Sequence, residues 1–599
     1  MLEIQYFELH RTFHMPGEAW PEVSVANLTG LWLCTERNVK IVLKKLESAG
    51  WIEWSPGRGR GHVSRIRFLM EPQELLLELS KRAMQEGRLN DALEWLDRFG
   101  QGTDTKERFM AWLSDYFGYK KETADSKPVE TLRFPVFRSI LTLDPGRMIY
   151  AFEVHLMKQL YNTLVIFNEQ RQTVEPKVAH YWECSPDHLT WKFYLRRGIM
   201  FHHGRELTAH DVAFSLRRLM RETDPLTQRW LVQGFDEVRV LDERVVEIRL
   251  RSPNHLLLRY LCFPATSILP EELVDGREEA FTLAPVGSGP FRLELWNENR
   301  CVLTANPSYF EGRAHLDRVE VVFLPPEELH SFQVTDSEKM LCNHDGVTYP
   351  VRHHWERIEL LNNGCSMLSY NMQQGGPQQD VRFRKALHHL VDRKSMVEQL
   401  GENRRFPATG MQPHNYLGQE DHAFDPSVAR KLLDEMGYTG EPFRIAAIWK
   451  HLADAHWLRD RCREFGIEAE VVCYEIDELA RRVRDRTLNA EALLHQFVID
   501  EGEVSLLELY LREDSYIRLV MDEELSARVD KIASDLLASP SPEYRKHRMQ
   551  ELEALLNHEH VALFLLFKGL QTVHDPSLRG VTINSLGWID FKNVWLQSV

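Results

Sequence analysis

The chain has 599 residues, 43% of them apolar and 27% charged, with a net charge of −16. That length excludes a single small core, and the composition excludes a disordered or low-complexity chain. The acidic total argues against nucleic acid, but charge belongs to domains: residues 37–67 hold eight Lys or Arg against two Glu, a local +6 that leaves −22 on the remainder.

The first residues, Met-Leu-Glu-Ile-Gln-Tyr-Phe-Glu-Leu-His, lack a basic stretch followed by an apolar one and a small-residue cleavage site. The expectation is a chain without an export signal, working in the cytoplasm. No run of eighteen apolar residues occurs, so no membrane span is expected. Eight Cys occur without a C-x-x-C pair, which points to reduced core thiols and to no zinc or redox motif.

Residues 23–68 form one pattern. Ser24 suits the cap of a short helix running to about Leu31, and Trp32-Leu33-Cys34 makes a tight turn. Thr35 suits the cap of a second helix, with Glu36 favoured at its positive end. Val39, Val42, Leu43 and Leu46 fall on one buried stripe, while Arg37, Lys40 and Lys44 fall on another face. Gly50 is placed to end that helix. Trp51–Trp54 and Val63–Phe68 read as strands around a turn, Ser55-Pro-Gly-Arg-Gly-Arg-Gly61. Helix, turn, helix, strand, basic turn, strand is the order of a winged helix-turn-helix. Its second helix enters a major groove, so Arg37 and Asn38 are the candidate base readers. Lys40, Lys44, Arg58 and Arg60 are the candidates for phosphate or minor-groove contacts. The competing reading is a helical hairpin with a solvated basic face.

Residues 69–120 read as helices, with a polar linker at 121–130. From 131 strands alternate with helices. Trp191, Phe193 and Leu195 alternate inward. Ala209–Glu222 carries Val212, Leu216 and Leu219 on one stripe, and Val238–Arg251 gives two strands around a 242–244 turn. Phe383–Leu400, Pro426–Met436 and Met521–Ala538 read as helices. Alternation over some 470 residues indicates an α/β domain large enough for two lobes.

The blocks Thr35-Glu-Arg-Asn-Val39, Leu43-Lys-Lys-Leu46, Ala49-Gly-Trp-Ile52, Trp54 and Gly57-Arg-Gly-Arg-Gly61 resemble the N-terminal domain of SgrR-type transcription regulators. A second set resembles the family 5 extracellular solute-binding proteins of the oligopeptide and nickel type. It comprises Leu141-Thr-Leu-Asp-Pro145, Leu160-Tyr-Asn-Thr-Leu164, the run Leu189–Gly204 continuing to Val212, Val286-Gly-Ser-Gly-Pro-Phe291 and Asn306-Pro-Ser-Tyr-Phe310. Asp380–Ala386 with Asp392-Arg393, and Asp425–Leu433, complete it. Most of these residues read as fold markers: Gly198 and Gly204 at positive φ, Thr208 as a helix cap, Asp392-Arg393 as an ion pair or a helix terminus.

The resemblances imply a multidomain fold class: an N-terminal winged helix-turn-helix, mostly α with a β-wing, then a two-lobed α/β periplasmic-binding-protein-like domain of type II, oligopeptide-binding-like. The expected domains are 1–68, a helical connector 69–120, the linker 121–130 and an effector domain 131–599, whose second lobe covers roughly 365–560. The implied partners are double-stranded DNA and a small-molecule effector: a peptide, sugar or sugar phosphate. In the peptide binders an Asp after an aromatic-rich strand end pairs with the ligand's amino group. Here that position falls on Asp500, which alternatively caps its own loop, and Gln496-Phe497 stands where the family has Gly-Trp.

No catalytic, metal or cofactor site is expected. Gly287-Ser-Gly289 lacks the spacing of a nucleophile elbow, the His doublets are not at i, i+4, and His558-Glu-His560 is not a zinc-protease motif. The alternative function is the substrate-binding receptor of an ABC transporter.

Overall fold

The structure is a computed structural model. It describes residues 2–15, 17–57, 63–124, 127–148, 150–222, 226–329, 340–343, 355–416, 423–500 and 502–597. The chain divides into two compact units. The first comprises Met1–Gly118 with Asn297–Arg300 and the described part of Val322–Glu338; the second comprises the rest.

In the first unit, α1 (Leu2–Phe13) buries Tyr6, Phe7 and Leu9. Next come α2 (Val25–Leu31) and α3 (Glu36–Ser48), separated by a turn in which Leu33 takes φ 48. Ser24 and Asn27 form a capping box on α2, and the Thr35 hydroxyl accepts the Asn38 N–H at 3.4 Å at the start of α3. Val39, Val42, Leu43 and Leu46 are the buried stripe of α3. Gly50 at φ 73 turns the chain out of the helix, its N–H bonding Glu47 O and that of Trp51 bonding Leu46 O. That pair of bonds is a Schellman ending, which satisfies carbonyls the helix leaves over. Strands β1 (Ile52–Ser55) and β2 (Arg65–Phe68) pair antiparallel as the wing, with Ile52 opposite Phe68. The wing-tip residues Arg58 and Arg60 lie outside the described residues.

The connector consists of α4 (Pro72–Gln85), α5 (Leu89–Phe99) and α6 (Thr105–Tyr116). Helix α1, which has no clear signal of its own in the sequence, joins it to the winged helix. Tyr6 packs on Trp51 and Phe68, its hydroxyl bonds Met70 O at 2.9 Å, and Phe7 packs on Phe99 of α5. Two segments distant in sequence complete this unit. The Asn90 N–H donates to Asn299 Oδ1 at 2.9 Å, and Lys106 Nζ bridges Asp97 at 2.6 Å and the buried Glu328 at 2.7 Å.

Residues 121–124 and 127–130 correct the reading of 121–130 as a linker. They belong to β3 (Gly118–Ala124) and β4 (Lys127–Val136), which extend a five-stranded sheet with strands Phe291–Trp296, Arg300–Ala305 and Arg318–Phe323. β3 is the sheet's outermost strand, so Lys121, Glu122 and Thr123 face solvent and the strand has a linker's composition. Arg133 fixes the pairing. Its buried guanidinium takes Glu122 at 2.7 and 2.8 Å and Glu320 at 2.9 Å.

The rest of the second unit is α/β. Strand Thr190–Leu195 buries Trp191, Phe193 and Leu195 in a four-stranded antiparallel sheet, backed by helix Ala209–Met220. Thr208 and Asp211 form that helix's capping box, and Gly198 and Gly204 take φ 72 and 93. Gly287 and Gly289 have a steric reason: a Cβ there would lie 2.0 Å from Leu160 O and 2.3 Å from Gln159 O. Two of the sequence blocks thus meet backbone to backbone, with the Gly289 N–H on Leu160 O at 2.8 Å. The largest sheet is built on the 13-residue strand Ala562–His574, flanked by Ser366–Tyr370 and Glu356–Leu361. The expected helix Phe383–Leu400 is two helices, Val381–Leu390 and Arg393–Leu400. Asp392 takes an extended conformation and caps the second through Ser395 N at 3.0 Å, so Asp392-Arg393 is a helix terminus.

Candidate nucleic-acid interface and solute cavity

On α3 the outward face is the complement of its buried stripe. With about 100° per residue, Arg37, Ile41, Lys44 and Ser48 form the outermost line. Lys40 lies on one flank, and Asn38 and Lys45 on the other. All of these side chains are exposed. Among the described residues Arg37, Lys40, Lys44 and Lys45 take part in no ion pair, whereas Arg65 and Arg67 of the wing are paired with Glu22 and Glu53. The cationic field therefore concentrates on α3. The structure brings Arg37, Lys40 and Lys44 together on its exposed side and sets Asn38 about a quarter-turn away.

In the second unit a cavity of about 260 Å³ is lined by apolar and aromatic side chains together with polar and charged ones, among them Arg138, Asp500, Glu508, Arg512 and Lys568. Tyr150 and Tyr516 meet at its wall, hydroxyl to hydroxyl at 3.0 Å. Asp500 lies on the wall shared with a larger recess of about 1000 Å³. Its carboxylate already has an ion-pair partner. Lys158 Nζ, from helix α7 (Ala151–Leu160), stands 2.6 Å from Oδ2, and Ser585 Oγ donates to Oδ1. The Asp500 N–H donates to Ser505 Oγ at 3.2 Å. Asp500 thus lines both recesses as half of an internal ion pair.

Behind the cavity is a buried charge cluster. Arg404 Nε and Lys568 Nζ share Asp454 at 2.6 and 2.7 Å, and Lys568 lines the cavity. Burial opposes ionisation of Asp454, but Lys568 and Arg404 outweigh it and hold the carboxyl below its ordinary value. Burial lowers the pKa of Lys568, against the pull of Asp454. His495, bonded to Ser369 at 2.8 Å, is pushed down to about 3 by burial, and His451 is driven well down for the same reason. In both, burial favours the neutral imidazole. Sequence reasoning missed Lys158, Arg404, Asp454, Lys568 and both tyrosines, because each acquires its role from a partner tens to hundreds of positions away.

Among the described residues no group of His, Cys, Asp or Glu is arranged to hold a metal ion. No helix there is long and apolar enough to cross a membrane. The seven cysteines whose side chains are described are free.

Residues 1–112 match the family described as sugar transport-related sRNA regulator N-term, and residues 173–452 match bacterial extracellular solute-binding proteins, family 5 middle. The chain is 30% identical over 583 residues to the uncharacterized protein YhjP of Bacillus subtilis (strain 168), covering 96% of each. It is 27% identical over 609 residues to the HTH-type transcriptional regulator SgrR of Pectobacterium atrosepticum, covering 99% of this chain and 98% of that one. The chain belongs to the SgrR family of transcription regulators. This regulator joins the family's N-terminal domain to a family 5 solute-binding domain, the composition of a ligand-sensing transcription regulator. Neither family is one of enzymes. Its sensing part has the periplasmic-binding-protein fold. The Helicobacter pylori binding protein DppA, solved with the peptide STSA, aligns at TM-score 0.67 and 19% identity over 78% of this chain and 98% of its own. Brucella suis NikA, solved with Fe(III)-EDTA, aligns at 0.63 and 21% over 78% and 99%.

Proposed function

We propose that this regulator works in the cytoplasm as a one-component switch. Its winged helix, within 1–68, holds double-stranded DNA. Its connector, 69–120, carries the state of a sensing domain that binds a small solute in the cavity lined by Asp500. Arg37 and Asn38 read base edges, and Lys40, Lys44, Arg58 and Arg60 hold phosphates or the minor groove. The observation that carries the reading is the row of cations on the exposed face of α3, which take part in no ion pair among the described residues, in a chain that is acidic elsewhere.

Lys158 bears on the choice among peptide, sugar and sugar phosphate. It already supplies to Asp500 the ammonium that a peptide's amino end would bring. A second ammonium there would cost desolvation without gaining a free carboxylate. That favours a sugar or sugar phosphate. A thermal-shift screen of the full chain against small peptides, sugars and sugar phosphates tests this. A ligand at one hundred times its Kd adds about 2.7 kcal/mol of stability, so the melting temperature rises for a carbohydrate. A rise with free-amino peptides alone would reverse the preference.

Coupling through the connector has its own test. Lys106 ties α6 to Asp97 of α5 and to Glu328, a residue from the chain beyond 320. Lys106→Ala is expected to leave DNA affinity without effector, and effector affinity, unchanged within a factor of two or so, while shrinking the effector's influence on DNA binding. Coupling energies of this kind are about 1–3 kcal/mol, so an effect of up to about a hundredfold falls toward none. Full retention of the effect in the variant would remove Lys106 from the path.

A further inference from the structure

The helix assigned to DNA carries one side chain whose chemistry the cations do not explain. Five aliphatic residues occur in α3. Val39, Val42, Leu43 and Leu46 are 0–5% exposed, but Ile41 is 45% exposed. Isolated exposed aliphatic residues are ordinary on protein surfaces, so the position decides. Ile41 stands in the outermost line of α3, one turn from Arg37 and close beside Lys44 around the helix, opposite the core stripe. A β-branched residue there neither packs the core nor favours the helix. Flanked by Arg37, Lys40, Lys44 and Lys45, it faces the polyanion those cations attract, at the depth where base edges lie. Only one base of DNA offers the major groove an apolar group, the C5-methyl of thymine.

We propose that Ile41 is a specificity-determining residue of this regulator, packing on the C5-methyl of a thymine beside the base read by Arg37. The proposal rests on the reading of α3 as the recognition helix. Ile41 adds preference at one base step, Arg37 fixes the neighbouring step, and Lys40 and Lys44 set register without reading sequence.

The experiment uses the full chain and the duplex it selects from a random pool. Each thymine of that duplex is replaced singly by deoxyuridine, which removes only the methyl, and affinity is measured for the unaltered protein and for Ile41→Ala. Burying one methyl is worth roughly fourfold in affinity. At one thymine, or at its symmetry mate, deoxyuridine is expected to weaken the unaltered protein by about that factor, and Ile41→Ala to be indifferent to the change. An equal melting temperature for Ile41→Ala establishes that it folds. If no thymine responds, or if the penalty persists undiminished in Ile41→Ala, the proposal fails. Arg37→Ala with Lys40→Ala separates this from failure of the helix assignment. Normal binding by that double variant overturns the assignment, whereas its loss of binding beside an absent deoxyuridine effect overturns Ile41 alone.

Discussion

Replacing Arg37 and Lys40 together by alanine is expected to weaken operator binding by up to about a thousandfold and to leave effector binding intact. A bidentate Arg–guanine contact is worth about 1–3 kcal/mol. Losing a phosphate contact lowers the slope of log affinity against log salt by about 0.9 per contact. The pair together predict a fall on the order of tens- to about a thousandfold, largest at low salt and narrowing as salt rises. The fold tolerates the change. Both side chains are exposed and neither takes part in an ion pair among the described residues, while the stripe Val39, Val42, Leu43 and Leu46 is untouched. Fluorescence anisotropy at two salt concentrations, with a thermal-shift measurement of effector binding, reads both halves. Normal operator binding by the variant would mean that α3 is not the recognition helix.

Asp454→Asn is expected to destabilise the sensing unit by about 3–5 kcal/mol, the cost of leaving buried cations without their shared partner. Arg404 and Lys568 both lose a charged acceptor at 2.6–2.7 Å in a site with almost no water contact. A triple variant that also converts Arg404 and Lys568 to methionine regains much of the loss, because no uncompensated charge remains. The pH dependence has a definite sign. The folded-state pKa of Asp454 lies below its unfolded value of about 3.9. Its contribution is therefore fully present above about pH 4 and is lost as pH falls through the folded value. The difference between the unaltered protein and Asp454→Asn, read from urea midpoints, should be constant near neutrality and shrink in acid. A difference under 1 kcal/mol at pH 7 would mean that the cluster is not held as a buried unit.

The winged helix was legible because its determinants are local. A cap at Thr35, a stripe at 3.6-residue spacing and Gly50 at the helix end lie within sixteen residues, and each acts on its own neighbours. The same holds for the Trp191, Phe193 and Leu195 alternation and for the Thr208 cap. The linker at 121–130 failed for a physical reason: an edge strand keeps one side in water, so its composition matches a loop until its partner strand is known. The break at Val391-Asp392 failed because an apolar stripe continues across it, and the Asp cap is visible only as a possibility in the sequence.

The cavity was hardly legible. Asp500 was found through a family pattern, but its pairing with Lys158 joins residues more than three hundred positions apart. Whether two such charges interact depends on coordinates, since a buried pair a few ångströms apart attracts strongly whereas a solvated, distant pair is screened. The sequence by itself determined a basic winged helix ahead of an acidic α/β sensor, because caps, periodicity and charge segregation are short-range properties. Only the tertiary structure decided that Asp500 is paired with Lys158, that Asp454 is shared by two cations and that Ile41 is left exposed, because partner and exposure are properties of what packs against a residue.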